Sequence, residues 1–151
     1  KILREKLCDL YYQNHGLNYT VLRLFNAYGP GQALGYFIPD MISKAKAGPI
    51  ELKGSLTTKD WVYIDDVVRA FRLAIETPFV GAINIGTGVE THLGAIASRI
   101  ARMHEVYYLG IPSSRDTRMC ADVGRAERIL GWKSIVGIEE GLDAILDLVK
   151  V

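Results

Sequence analysis

The chain is short of several things that would assign it to a class at once. It has two cysteines in 151 residues, Cys8 and Cys120, with no C-x-x-C spacing. Reduced thiols in a cytoplasmic protein are therefore expected rather than a disulfide framework. His15, His92 and His104 show no metal-ligand spacing and share no helical face, so no metal site is expected. No apolar run approaches the roughly 20 residues of a membrane helix. No stretch has the pattern of a signal peptide. Positive charge is balanced, 18 Lys and Arg against 17 Asp and Glu, for a net charge of +1. That removes the basic footprint of a nucleic-acid partner. There is no internal repeat, no low-complexity segment and no motif for Ser/His/Asp hydrolysis. What is present is ordinary for one globular domain: 49% apolar and 23% charged residues.

The most informative stretch is Thr58-Lys59-Asp60-Trp61-Val62-Tyr63-Ile64-Asp65-Asp66-Val67-Val68-Arg69-Ala70. Trp61 to Ile64 are bulky and aromatic or β-branched, which predicts a mostly buried strand. Asp65 stands where a helix N-cap is expected. Val67, Val68, Phe71, Ala74 and Ile75 follow at helical spacing and predict one apolar face. Strand-to-helix corners of this kind are where open α/β sheets hold their ligands.

Taken in order, residues 1–15 read as a helix with two apolar stripes, Leu3, Leu7 and Leu10 beside Cys8, Tyr11 and Tyr12, stopped by Asn14-His15-Gly16. Such a helix calls for partners on two sides. Thr20 to Phe25 is nearly all apolar, as in a parallel strand covered on both faces. Arg23 interrupts it and needs carboxylates or carbonyls if buried. Residues 26–32 (NAYGPGQ) read as a loop, 39–47 as a short helix with Pro39 in its first turn, and Ile50 to Lys53 as an edge strand. Ala82 to Ile85 is another strand, ended by Gly86-Thr87-Gly88. Thr91 is expected to cap the next helix, whose face is Leu93, Ile96, Ala97 and Ile100. Val106 to Leu109 reads as a strand and 110–121 as irregular. Asp122 is expected to cap a helix through Leu130, and the last helix carries Ile138, Leu142, Ile145, Leu146 and Val149. Strands alternating with helices predict an α/β fold with a mainly parallel sheet.

Four ordered segments resemble a known family: Leu22-Arg23-Leu24-Phe25-Asn26-Ala27-Tyr28-Gly29-Pro30-Gly31, TKDWVYIDDVVRA from Thr58, NIGTG at 84–88 and ADVGRAERILGW at 121–132. Together they resemble the extended short-chain dehydrogenase/reductases, the NAD-dependent nucleotide-sugar epimerases and dehydratases. The resemblance covers essentially the whole chain. It implies the C-terminal portion of a Rossmann-type parallel sheet plus a small α/β substrate-binding lobe. In that reading 1–151 is a single unit, with 1–29 and 58–88 from the Rossmann sheet and 30–57 and 89–151 forming the lobe. Lys1-Ile2-Leu3-Arg4-Glu5 is similar to the segment that follows the family's catalytic tyrosine. Lys1 would then be the lysine of the Tyr-x-x-x-Lys pair, with the tyrosine four residues earlier, outside this chain. No G-x-G-x-x-G is present in these residues, so NAD is implied for the parent family and not expected to bind this chain alone.

The resemblance also assigns roles. Lys1 would serve the acid/base tyrosine and hold the nicotinamide ribose, and Leu24 and Phe25 would face the nicotinamide. Asn26 would hydrogen-bond the phosphates of a nucleotide-diphosphate sugar, and Phe37 would lie near its base. Lys59 stands where the family often has arginine, which keeps the charge but loses the two-pronged geometry. Arg118 would reach the same diphosphate, with Arg115 as the fallback. Plain alternatives stand beside each: a turn-forming Asn26, core packing for Leu24, Phe25 and Phe37, and surface arginines. Asp65 and Asp66 are read as capping and ion-pair residues, with Arg23 as candidate partner, rather than as paired catalytic carboxylates. A homo-oligomer through the first helix is implied. The alternative to an enzyme part is a non-catalytic module that binds nucleotide-sugars or serves assembly.

Overall fold

A computed structural model describes residues 1–149. The elements are α1 (Ile2–His15), β1 (Thr20–Leu24), β2 (Asn26–Tyr28), α2 (Phe37–Ala47), β3 (Ile50–Lys53), β4 (Thr58–Lys59), β5 (Trp61–Tyr63), α3 (Ile64–Glu76), β6 (Gly81–Ile85), β7 (Thr91–His92), α4 (Leu93–Met103), β8 (Tyr108–Ile111), α5 (Gly124–Leu130) and α6 (Ile138–Val149). β1 lies parallel to β6, β2 to β5 and β3 to β8, while β4 and β7 pair antiparallel. This is the α/β class with mainly parallel pairing that the alternation predicts.

The interior has two parts, and β5 serves both. Successive side chains of a strand point to opposite faces. Trp61 and Tyr63 accordingly enter a core built with Tyr28, Ile38, Ile96 and Leu142. Val62 between them enters a second core with Val67, Ile83, Ile85 and Trp132. Leu142, Ile145 and Leu146 of α6 are buried as expected; the side chain of Val149 lies outside the described residues.

Several local expectations are corrected. Asn26 to Tyr28 is strand, not loop, because these residues pair with Trp61 to Tyr63. The strand at 61 ends at Tyr63, and Ile64 already begins α3. The α3 N-cap position is Tyr63, so Asp65 lies exposed in the first turn, where its charge still suits the helix dipole. The apolar face of α3 is only half covered: Val67 and Ala70 are buried, but Val68, Phe71 and Ile75 are exposed. Thr91 caps nothing; it pairs with Lys59 in β7. The first amides of α4 are met from a distance instead, Leu93 N donating to Thr57 O at 2.9 Å and Gly94 N to Ser55 O at 3.0 Å. The strand read at 106–109 is observed two residues later, at Tyr108–Ile111. Asp122 precedes the α5 N-cap Val123, yet its Oδ1 accepts the Gly124 amide at 3.0 Å. Arg23 pairs with Glu5 of α1, its Nε donating to Oε1 at 2.9 Å and its Nη2 to Oε2 at 2.5 Å. No residue of α1 is buried.

Candidate functional site

The four segments singled out in the sequence meet at one buried residue, Asp60. Asp60 is fully buried. Its Oδ1 accepts from the Thr87 amide at 2.7 Å and the Thr87 hydroxyl at 2.8 Å. Its Oδ2 accepts from the amides of Gly88 at 2.8 Å and Ala121 at 3.1 Å. Its backbone carbonyl accepts from Asn26 N at 3.1 Å and Asn26 Nδ2 at 2.8 Å. A buried charge is tolerable only when so surrounded by donors. The approach is tight enough to demand glycine at position 86, where a Cβ would stand 2.6 Å from Ala121 Cβ and 2.8 Å from Asp60 Oδ2. Asp60 thus ties the corner before β5 to the loop after β6 and to the segment leading into α5. The residue types that would reveal this beforehand are an Asp flanked by two strand signals and a Gly-Thr-Gly turn.

Next to that knot, Thr58 and Lys59 of β4 pair with His92 and Thr91, and Thr58 also bridges to Arg118. The backbones of Asn26, Lys59 and Arg118 are therefore gathered around Thr58 to Asp60. Asn26 Nδ2 bonds the Asp60 carbonyl, which is neither a ligand contact nor a self-contained turn. Lys59 is half-buried, and its ammonium has no ion-pair partner among the described residues. Arg118 forks onto Glu90, Nε to Oε2 at 2.9 Å and Nη2 to Oε1 at 2.8 Å. Thr58 Oγ1 donates to the same Oε2 at 2.7 Å. The Arg118 fork, with the Thr58 hydroxyl second, holds the Glu90 carboxyl down at about 2. Arg115 is exposed beside this segment. Cys120, also nearby, has its thiol pushed up by burial and then by the charges of Asp60 and Glu90.

Phe37 is placed by packing: its ring lies 5.8 Å from that of Trp61, against the first core. Lys1 and Leu24 share a hollow of 590 Å³ with Glu5, Cys8 and Arg23, where α1 passes over β1. The amide of Phe25, next in sequence, donates to Ile85 O at 2.9 Å. Leu24 and Ile85 are the carboxyl ends of a parallel pair, the location where such sheets bind ligands. Asp66 forms the structural ion pair expected of it, but with Arg69 rather than Arg23. Its Oδ1 accepts from Arg69 Nη2 at 2.7 Å, and its Oδ2 accepts the amides of Ile135 at 2.9 Å and Val136 at 3.0 Å. It fastens the loop before α6 and makes no pair with Arg23. Among the described residues no group of His, Cys, Asp or Glu is arranged to hold a metal ion, and no helix is long and apolar enough to cross a membrane.

A model of the NAD dependent epimerase/dehydratase family matches residues 1–86. The chain belongs to this family. Lys1, Leu24, Phe25, Asn26, Phe37 and Lys59 fall inside the matched segment and Arg118 outside it. A putative UDP-glucose 4-epimerase of Methanocaldococcus jannaschii is 29% identical over 99% of this chain and 52% of its own length. UDP-glucuronic acid decarboxylase 6 of Arabidopsis thaliana is 27% identical over 94% of this chain and 44% of its own. Among solved structures, UDP-glucose 4-epimerase of Thermotoga maritima with UDP-glucose gives a TM-score of 0.87 at 29% identity, covering 99% of this chain and 52% of that one. UDP-glucuronic acid 4-epimerase of Bacillus cereus, in complex with UDP-glucuronic acid and NAD, gives 0.83 at 28% identity, covering 97% and 49%. The chain spans about half the length of the relatives it matches.

Proposed function

We propose that these residues are the C-terminal, substrate-gripping part of an NAD-dependent epimerase or dehydratase acting on a nucleotide-diphosphate sugar. In this reading residues 1–29 and 58–88 are the end of a Rossmann sheet, and Lys1 is the lysine of a Tyr-x-x-x-Lys pair. Its ammonium lowers the pKa of the tyrosine that moves a proton on a sugar hydroxyl. NAD would supply the hydride chemistry, and Lys1 with the backbone of Leu24 and Phe25 would hold its nicotinamide end. The second Nδ2 hydrogen of Asn26, the first being given to the Asp60 carbonyl, and the charges of Lys59 and Arg118 hold the diphosphate, and Phe37 lies toward the base. The observation that carries the reading is the Asp60 knot and the adjoining Thr58 bridge, which gather the Asn26, Lys59 and Arg118 backbones around Thr58 to Asp60 although they are far apart in the chain.

Thermal-shift screening of the chain against UDP-, TDP-, GDP- and CDP-sugars tests it, because a bound ligand raises the melting temperature in proportion to the logarithm of its excess over Kd. A rise with one nucleotide class, lost in Arg118→Ala, is expected. No rise with any of the four at millimolar concentration would overturn the proposal.

A further inference from the structure

The function proposed above leaves Glu90 without a task, yet Glu90 is the residue most closely engaged with Arg118. We propose that Glu90 is a positioning residue: with the Thr58 hydroxyl it locks the Nε–Nη2 edge of Arg118 so that the opposite edge faces an anionic ligand. The proposal rests on the reading that Arg118 meets a diphosphate.

The geometry argues for a brace. A guanidinium carries five N–H donors in a rigid fork. Glu90 takes one from Nε and one from Nη2, which leaves both Nη1 donors and the second Nη2 donor for a phosphate. The arginine side chain is 79% exposed, so without a partner it would sample many rotamers. Ordering such a side chain upon binding lowers affinity, and a fixed counter-ion removes that cost beforehand. Glu90 itself is not free to swing away. Its Oε2 is held at 2.7 Å by the hydroxyl of Thr58, a buried residue. Its neighbour Thr91 is paired to Lys59, and Arg118 is bridged to Thr58. Both members of the ion pair thus grow from backbone fixed on either side of one threonine. A carboxylate that merely competed with the ligand for Arg118 would need no such support.

The two ideas predict opposite signs. If Glu90 braces Arg118, removing it weakens anion binding; if it only neutralises Arg118, removing it strengthens binding. Calorimetric titration of the chain with UDP and, separately, inorganic pyrophosphate decides between them. In Glu90→Ala the affinity for both probes should fall about three- to tenfold, the range set by freeing one long side chain. Glu90→Gln keeps an acceptor for the guanidinium and should recover part of the loss. Arg118→Ala should fall at least as far, and adding Glu90→Ala to it should change nothing further, since the brace then has nothing to hold. The Arg118 side chain is exposed, so Arg118→Ala should melt close to the wild type, whereas Glu90→Ala leaves the buried Thr58 hydroxyl without its acceptor and should melt somewhat lower while staying folded at the titration temperature. Unchanged or tighter binding in Glu90→Ala, with binding still lost in Arg118→Ala, would overturn the inference and leave the diphosphate reading intact. Binding indifferent to Arg118→Ala, or no UDP binding by the wild-type chain, would overturn both.

Discussion

At the scale of single residues, Asp60 is the most sensitive position. Its two carboxylate oxygens accept from Thr87 twice and from Gly88 and Ala121 once each. Asparagine has the same shape but turns one acceptor into a donor, which then faces amides that can only donate. Leaving such groups unpaired in the interior costs about 1–3 kcal/mol each. Asp60→Asn is therefore expected to destabilise the fold by roughly 3 kcal/mol, read from the shift in urea midpoint at constant slope. Glu90 offers a pH test. Its carboxyl titrates at about 2, mainly because of the Arg118 fork, against an ordinary 4.5. The folded value is depressed, so the stabilisation from the pair is complete above pH 4.5 and disappears as pH falls toward 2. Carboxyl chemical shifts followed through acid should place the Glu90 midpoint near 2, and Arg118→Ala should move it upward, toward 4.5.

At the scale of elements, propensity and packing disagree most plainly in α6. Gly141 sits inside that helix, where alanine would be favoured by about 1 kcal/mol on propensity alone. A Cβ there would stand 2.8 Å from Tyr28 Cζ and from Tyr63 Cδ2, rings that are themselves buried. Overpacking of this kind costs about 1–3 kcal/mol. Packing wins, so Gly141→Ala should lower the melting temperature rather than raise it, as calorimetry would record. The same contrast explains what could be read from sequence. α1, α4 and α6 were legible because an apolar stripe at helical spacing is local information. β2 was not: three residues in a Gly- and Pro-rich string become strand only through pairing with Trp61 to Tyr63, a contact the string does not encode. The caps failed similarly. Thr91 is a good N-cap by type, but the α4 amides find the carbonyls of Ser55 and Thr57 first. Of the site, the charged residues Lys59 and Arg118 stood out by motif. Asp60 and Glu90 did not, because their importance lies in what they accept from distant amides and hydroxyls.

At the scale of the whole molecule, the notable feature is uncovered apolar surface. On α1, Ile2, Leu3, Leu7 and Leu10 are each at least half exposed, and on α3 so are Val68 and Ile75. β1 pairs with β6 on one side, with no other strand beside it among the described residues. Monomeric proteins rarely leave contiguous patches of this kind bare. Self-association through α1 is expected, with a two-fold contact that places α1 against its copy. Sedimentation should show a dimer or larger species at tens of micromolar, and Leu3→Glu with Leu7→Glu should reduce it to a monomer. A monomer in the unsubstituted chain would rule this out.

The three-residue strand β5 has one more consequence. Trp61 and Tyr63 belong to one interior and Val62 to the other, so neither can loosen without tugging the backbone that anchors its neighbour. Heat should find no half-melted intermediate here, and the segment around Asp60 borrows its rigidity from both halves at once.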